Sequence, residues 1–122
     1  MRILLVSPDL MSTSRIAALG RPIGAQVETL RSLDLQPQGG PYALVLVDLQ
    51  SLTGDAAVIL SRVRTILTAC AAQGDEPMRI VAFGPHVHKQ RLDDSKAAGA
   101  LAAVSRGELL GGFAGLVARW VG

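Results

Sequence analysis

Several residue types and patterns that mark particular protein classes are scarce in this sequence of 122 residues. A single cysteine, Cys70, excludes an internal disulfide framework. Aromatic residues form only 3% of the chain, so the core must be aliphatic, which suits a helix-covered parallel sheet better than an aromatic-rich β-sandwich. No apolar run reaches the roughly 18 residues that cross a membrane. The apolar run at 3–6 is too short for a signal peptide, and we expect a cytoplasmic protein.

Charged residues form neither long runs nor clusters. Twelve Lys and Arg residues against ten Asp and Glu residues give a net charge of +2, and the basic residues are scattered along the chain. A nucleic-acid-binding surface concentrates such residues, so we expect neither nucleic acid nor a membrane among the partners. Hydrophobic residues make up 49% of the chain, which argues against disorder, and the length suits one domain that covers 1–122.

Short apolar segments alternate with stretches of helical periodicity. The apolar runs predict five strands, at 3–6, 25–30, 43–48, 79–83 and 100–104. The helical stretches predict four helices, at 11–19, 55–72, 87–98 and 108–121. Asp9 or Ser12 is the expected N-cap of the first helix, and Thr53 or Asp55 that of the second.

The order of these elements predicts the fold class. Strands that alternate with helices imply a parallel sheet with right-handed crossovers. Five such strands suggest a three-layer α/β/α sandwich with strand order 2-1-3-4-5. The segment 31–41 holds two prolines and two glycines, so the second helix of this arrangement is expected to be shortened or absent. Cys70 falls on the apolar side of the helix at 55–72, as a small core residue.

Three segments resemble parts of the response-regulator receiver domain, a CheY-like member of the flavodoxin-like superfamily. Residues 3–9 form an apolar strand that runs towards an acid. Residues 43–49, ALVLVDL, resemble the receiver strand that ends on the phospho-acceptor aspartate. Residues 97–109, AAGALAAVSRGEL, resemble the stretch around the fifth receiver strand. The resemblance covers essentially the whole chain.

The resemblance implies a phosphorylation pocket, but most of its positions carry other residues. Receivers use an acid pair for Mg²⁺, an acceptor aspartate, a hydroxyl and a lysine, because phosphoryl transfer depends on positioning and charge neutralisation. Asp48 matches the acceptor. The remaining positions form a degenerate pocket: Ser7 and Pro8 replace the acid pair, Asp9 lies one place late, Gly84 replaces the hydroxyl residue and Arg106 the lysine. We therefore expect no metal, no cofactor, no catalytic residue and an inactive Asp48.

Asp48 permits three interpretations. In the first, its carboxylate pairs with Arg106, caps the following turn and closes the former pocket without chemistry. In the second, the chain is an atypical single-domain response regulator phosphorylated on Asp48. In the third, it is a small-molecule or metal-binding flavodoxin-like domain with a site at Ser7, Asp48, Gly84 and His86, where open α/β sheets bind ligands.

Two histidines, His86 and His88, follow the fourth strand. A metal site would need a third ligand, for which Asp48, Asp93 or Asp94 are the available carboxylates. No Cys or Glu completes the set, so we interpret the pair as polar residues at the start of a helix.

The outer helical face is the remaining candidate for function. The last helix carries a wide apolar band interrupted by glycines, and Trp120 is expected to be an exposed anchor, since tryptophan is enriched in interface hot spots. Receivers use the face formed by the fourth helix, the fifth strand and the last helix for dimers or partners. The predicted interface residues there are Lys89, Arg91, Leu92, Leu116 and Trp120.

This reasoning predicts a stand-alone pseudo-receiver that acts in signalling or scaffolding through protein–protein contact. It is expected to form a homodimer through that face and not to be an enzyme. We expect no output domain after Gly122, so that its output would pass through a protein partner.

Overall fold

The sheet is built from the short apolar segments of the sequence. The computed structural model describes residues 1–122. It contains five strands, Arg2–Val6 (β1), Gln26–Leu30 (β2), Leu44–Asp48 (β3), Ile80–Gly84 (β4) and Ala102–Ser105 (β5). All neighbours pair in parallel, in the order β2-β1-β3-β4-β5. The predicted sheet is confirmed.

Five helices follow the strands. They are Leu10–Gly20 (α1), Ala56–Ala69 (α2), Lys89–Ala97 (α3), Arg106–Gly111 (α4) and Phe113–Val121 (α5), with short 3-10 turns at Arg21–Ile23 and Ala71–Gln73. None of them is long and apolar enough to cross a membrane. No helix lies between β2 and β3, so the predicted loss of the second helix is confirmed.

The core has two layers because successive strand side chains point to opposite faces of the sheet. In β1, Leu4 and Val6 face a first layer that also contains the inner side of α2. Ile3 and Leu5 face a second layer completed by Ile16 of α1 and by α4 and α5. The central strands β3 and β4 are buried along their whole length, as expected for a parallel sheet covered on both faces.

Three predicted helix boundaries are wrong. The last helix is broken at Gly112, which leaves the helical conformation at φ −128° and ψ 28°. Two adjacent glycines lower the stability of a continuous helix at this point, which favours the break. A capping box between Ser105 and Glu108 starts α4 directly after β5. α3 begins at Lys89 rather than 87, after a turn closed by the bond from His88 N to Pro85 O. α2 ends at Ala69 rather than 72.

Tyr42 fills part of the space left by the missing helix. It is 1% exposed, and its hydroxyl donates to Glu28 Oε1 at 2.6 Å. Burial, together with this carboxylate, raises the pKa of the Tyr42 phenol above its ordinary value. The buried side chain of Gln73 serves the backbone of Tyr42: its Oε1 accepts from Tyr42 N at 2.8 Å, and its Nε2 donates to Tyr42 O at 3.1 Å. Gln73 thus replaces the main-chain partner that a neighbouring strand would provide.

Cys70 lies at the edge of this region. It is half-buried, directly follows α2 and packs against the first core layer, with Sγ 3.7 Å from Gly39 O. The sequence predicts Cys70 as a small core residue on the apolar side of the helix. It does pack against the core, but it lies outside the helix and is not fully buried.

Replacing Gln73 tests whether it sustains this arrangement. Gln73→Ala leaves the buried N–H and C=O of Tyr42 without their partners, so we expect about 2–4 kcal/mol less free energy of unfolding. Urea unfolding measures the change. Gln36→Ala, in an exposed loop position, is the matched control and is expected to stay within about 0.5 kcal/mol of the wild type. A similar small loss for Gln73→Ala would contradict the role of its amide.

Candidate functional site

The carboxyl ends of the strands bring the predicted pocket residues to one edge of the sheet. Ser7 follows β1, Asp48 ends β3, Gly84 ends β4 and Arg106 follows β5. The carboxyl edge is where open parallel sheets place ligand sites, and the predicted residues do share it.

Asp48 is fully buried, and both oxygens of its carboxylate accept hydrogen bonds. Its side chain is 0% exposed. Oδ2 accepts from the Ser7 hydroxyl at 2.7 Å, and Oδ1 accepts from the amides of Gln50 at 3.0 Å and Ser51 at 3.3 Å. The expected capping of the turn after β3 is therefore present. Each oxygen thus accepts at least one hydrogen bond from the chain, and the residue is closed off from solvent.

The predicted ion pair between Asp48 and Arg106 is wrong. Arg106 Nη1 lies 3.5 Å from Asp9 Oδ2 instead. Ser7 supplies the donor for Asp48 from the neighbouring strand, whereas Asp9, two residues later, stands at the start of α1 and faces the beginning of α4. Both partners of the pair are partly exposed, 27% for Arg106 and 32% for Asp9, so it contributes little to stability.

Asp9 is the N-cap of α1. Its Oδ2 accepts from the hydroxyl and amide of Ser12 at 2.7 and 3.2 Å, and Oδ1 accepts from the amide of Met11 at 3.3 Å. The hydrogen bond from the Ser12 hydroxyl is the main cause that lowers the pKa of Asp9 below its ordinary value of 3.8. Partial desolvation opposes this shift, while the two amides and Arg106 add to it.

Arg91 fastens the loop that covers Asp48. Its guanidinium donates to the carbonyls of Leu49 at 2.8 Å, Leu52 at 3.3 Å and Gly54 at 2.9 Å. Three carbonyls on one guanidinium hold the loop 49–54 against α3. The sequence alone predicts Arg91 at an interface and does not indicate this role, because no local pattern shows which distant carbonyls an arginine reaches.

Gly84 leaves the hydroxyl position of the pocket without a side chain. A Cβ placed there would lie 3.7 Å from Leu49 Cβ and 3.9 Å from Gln50 N, so the covering loop approaches the empty position to ordinary contact distance. His86 and His88 are both exposed, beyond this loop. The clefts of the protein lie away from the carboxyl edge, beside β2, between α2 and α3, and between α1 and the break in the last helices.

The residues at this edge do not fit the Mg²⁺ ion of a receiver. Ser7 and Pro8 stand where the acid pair would be, and the oxygens of Asp48 are occupied by Ser7 and two amides. Those of Asp9 are occupied by the first turn of α1. No three His, Cys, Asp or Glu side chains come together in a group that could hold a metal ion. A hard cation needs several free oxygen ligands, which this edge does not supply.

The predicted interface residues differ in their exposure. Lys89 is exposed and Leu116 is partly exposed. Leu92 is only 9% exposed and belongs to the first core layer, since it is the main apolar residue with which α3 packs on the sheet. Trp120 is partly buried against the second core layer, so the prediction of an exposed anchor is wrong.

Solved structures share this architecture. A two-component response regulator from Clostridium difficile superposes with a TM-score of 0.70 at 13% sequence identity, over 98% of this chain and 96% of that chain. This chain has the fold of a response-regulator receiver domain. The receiver domain of a sensor histidine kinase from Pseudomonas aeruginosa PAO1, with a magnesium ion coordinated in its active-site cleft, gives a TM-score of 0.68 at 19% identity over 98% and 96% of the two chains.

Receiver domains predominate among the similar structures, but they are not alone. An adenylate cyclase from Rhodopirellula baltica matches this receiver-fold chain with a TM-score of 0.69 at 13% identity, over 98% of this chain and 86% of that chain. No family model and no curated protein matches the sequence. Identities this low establish a common receiver fold only, and the chemistry of the edge depends on the residues that occupy it here.

The lowered pKa of Asp9 predicts an acid-dependent contribution to stability. Because the folded-state pKa lies below the unfolded-state value near 3.8, this contribution is complete above that pH and is lost as the pH falls through the folded-state pKa. Asp9→Asn keeps a cap acceptor but removes the charge. We expect the variant to melt below the wild type at neutral pH and the two melting temperatures to converge under more acidic conditions. A difference that stays constant down to about pH 2.5 would contradict the assignment.

Proposed function

We propose that this chain is a receiver-like signalling or scaffolding module that acts through contact with another protein. It does not accept a phosphoryl group at Asp48 and catalyses no reaction of its own. Its place of action is the cytoplasm, where a single free cysteine stays reduced.

The burial of the Asp48 carboxylate and its hydrogen bonds to the chain carry this proposal. An acceptor carboxylate needs one oxygen free and accessible to the phosphorus atom, whereas here the residue is 0% exposed and Ser7 holds Oδ2 at 2.7 Å. Exposing it would require the loop 49–54 to leave the three carbonyl bonds of Arg91.

The charge balance of the edge supports the same conclusion. A phosphoryl group adds close to two negative charges and three oxygen acceptors, which a receiver neutralises with a metal ion and a lysine. The cation at the position of the receiver lysine, Arg106, already faces Asp9, and Arg91 at the same edge donates to three loop carbonyls. The hydroxyl donor is missing at Gly84. A phosphoryl group on Asp48 would thus lie against buried, uncharged surroundings.

Treatment with a small phosphodonor tests this proposal directly. We expect the intact mass of the protein to stay unchanged after incubation with acetyl phosphate and Mg²⁺, because no oxygen of Asp48 is accessible. Phosphorylation would add about 80 Da. Asp48→Asn is the control. An adduct that appears in the wild type and is absent from Asp48→Asn would establish the atypical response regulator and overturn the proposal.

The contact face of the module is proposed to be the one formed by α3, β5 and α5. The side chains of β5 are small and all partly exposed, which leaves a flat sheet edge. Lys89 on α3 is exposed, Leu116 on α5 is partly exposed, and Leu101, 52% exposed, precedes the strand. We propose a second copy of the chain as the occupant, since a flat edge strand with small residues can meet its own copy about a twofold axis.

Substitution on one helix distinguishes this face from the rest of the surface. We expect the wild type to sediment as a dimer at about 100 μM, and Leu116→Glu to sediment as a monomer because it buries a charge in the contact. Ala114→Glu is the matched control, since Ala114 lies about 200° away from Leu116 around α5 and is exposed. A monomeric wild type, or equal loss of the dimer in both variants, would contradict this face.

A further inference from the structure

The outer edge of β2 carries main-chain groups with no partner in the protein. Gln26 N donates to Met1 O, and Ser7 N donates to Leu30 O, so the even-numbered residues of β2 bond to β1. In a parallel pair the groups of the intervening residues point the other way. The N–H and C=O of Val27 and Thr29 therefore face outward, and β2 has no second neighbour in the sheet.

This edge lacks the devices that normally protect an exposed strand. β2 reads QVETL, without proline, lysine or a bulge. Its only charged residue, Glu28, is partly exposed and bonds to the segment that follows the strand: Oε1 accepts from Tyr42 and Gly39, and Oε2 accepts from the amide of Gln38. The absent second helix leaves only the irregular segment 31–43 beside the strand.

A cleft runs along the same edge. Its volume is about 660 Å³, within the range of sites that hold sizeable ligands. The five residues of β2 form one wall, and residues 35–39 contribute to the other. Leu35, which is 51% exposed, offers an apolar contact in this cleft. The space thus lies where an added strand would run.

Basic side chains flank the two ends of the edge. Arg2, at the start of β1 in register with Gln26, lines the cleft. Its carbonyl accepts from Ala43 N, and its guanidinium lies beside Gly39, near the Glu28 carboxylate, without forming an ion pair. Arg31 directly follows β2 and is exposed, with one contact at 3.4 Å to Pro8 O. Glu28 keeps its negative charge, because its donors Tyr42, Gly39 and Gln38 are neutral. Arg2 and Arg31 outnumber it, so the net charge of these three side chains is positive.

We propose that the β2 edge binds an extended, acidic segment of a partner protein, which adds a strand to the sheet. Main-chain groups of the segment would pair with Val27 and Thr29, and acidic side chains at its ends would face Arg2 and Arg31. A second copy of this chain fits less well. In an antiparallel pair of β2 strands, the Arg2 end of one chain would meet the Arg31 end of the other, and like charges would oppose each other.

Amide hydrogen exchange tests the proposal at the level of single residues. The probe is a peptide of alternating valine and threonine with a glutamate at each end, and its control has lysine at both ends. In the free protein, we expect rapid exchange at Val27 and Thr29 and slow exchange at Glu28 and Leu30, which bond to β1. Saturation with the acidic peptide is expected to slow exchange at Val27 and Thr29 at least tenfold.

Two substitutions at one position separate main-chain pairing from side-chain contact. Thr29→Pro removes the outward N–H without removing any bond to β1 and is expected to weaken peptide binding at least tenfold. Thr29→Val keeps this N–H and the branched shape and is expected to bind within twofold of the wild type. If Thr29→Pro does not fold, Arg31→Glu provides the test, because it should weaken the acidic peptide and favour the lysine peptide.

Each contrary outcome has a defined meaning. The proposal is overturned by no saturable binding up to about 1 mM peptide, by equal binding to Thr29→Pro and Thr29→Val, or by protection outside residues 25–31. Protection of Val27 and Thr29 in a peptide-free dimer would show that a second copy occupies the edge. None of these results bears on Asp48 or on the face formed by α3, β5 and α5, which lies at the opposite end of the sheet.

Discussion

A buried carboxylate at the end of the central strand has to find hydrogen-bond donors, and the carboxyl edge of this protein is arranged around that need. Asp48 obtains them from Ser7 on the adjacent strand and from the two amides of its own turn. Because burying an unpaired carboxylate is very costly, this local network stabilises the turn and keeps the loop closed. Arg91 then fixes the loop through its carbonyls, so the region where a receiver exposes its acceptor is filled by the protein itself.

The missing helix has the opposite effect on the other side of the molecule. Tyr42 and Gln73 provide packing and hydrogen bonds in the region where the second helix is absent. Glu28 accepts hydrogen bonds from Tyr42 and from the amides of the following loop. These side chains cover the face of the sheet but leave the outer edge of β2 without a neighbouring strand. The carboxyl edge is thus closed over Asp48, whereas the outer edge of β2 has no neighbouring strand.

The predictable part of the fold came from features that act over short distances. Apolar runs bounded by Pro8, Asp48 and Gly84 located the strand ends, and the paired prolines and glycines of 31–41 excluded a helix. The break at Gly112 could not be predicted, because glycine lowers helix stability without fixing the position at which a helix ends. The position is set by the packing of Leu109 and Phe113 into the same core layer. Leu92 and Trp120 were misjudged because helical periodicity does not reveal how deeply each helix sits.

By itself, the sequence determined the strand order and the residues that stand at the positions of a receiver pocket, because these follow from pattern and from side-chain chemistry. Only the tertiary structure decided the partners: Ser7 rather than Arg106 for Asp48, Asp9 for Arg106, and three loop carbonyls for Arg91. The reason is geometric. Residues 41 positions apart, such as Ser7 and Asp48, meet through strand pairing, and the choice among several nearby donors depends on differences of an ångström that no local pattern encodes.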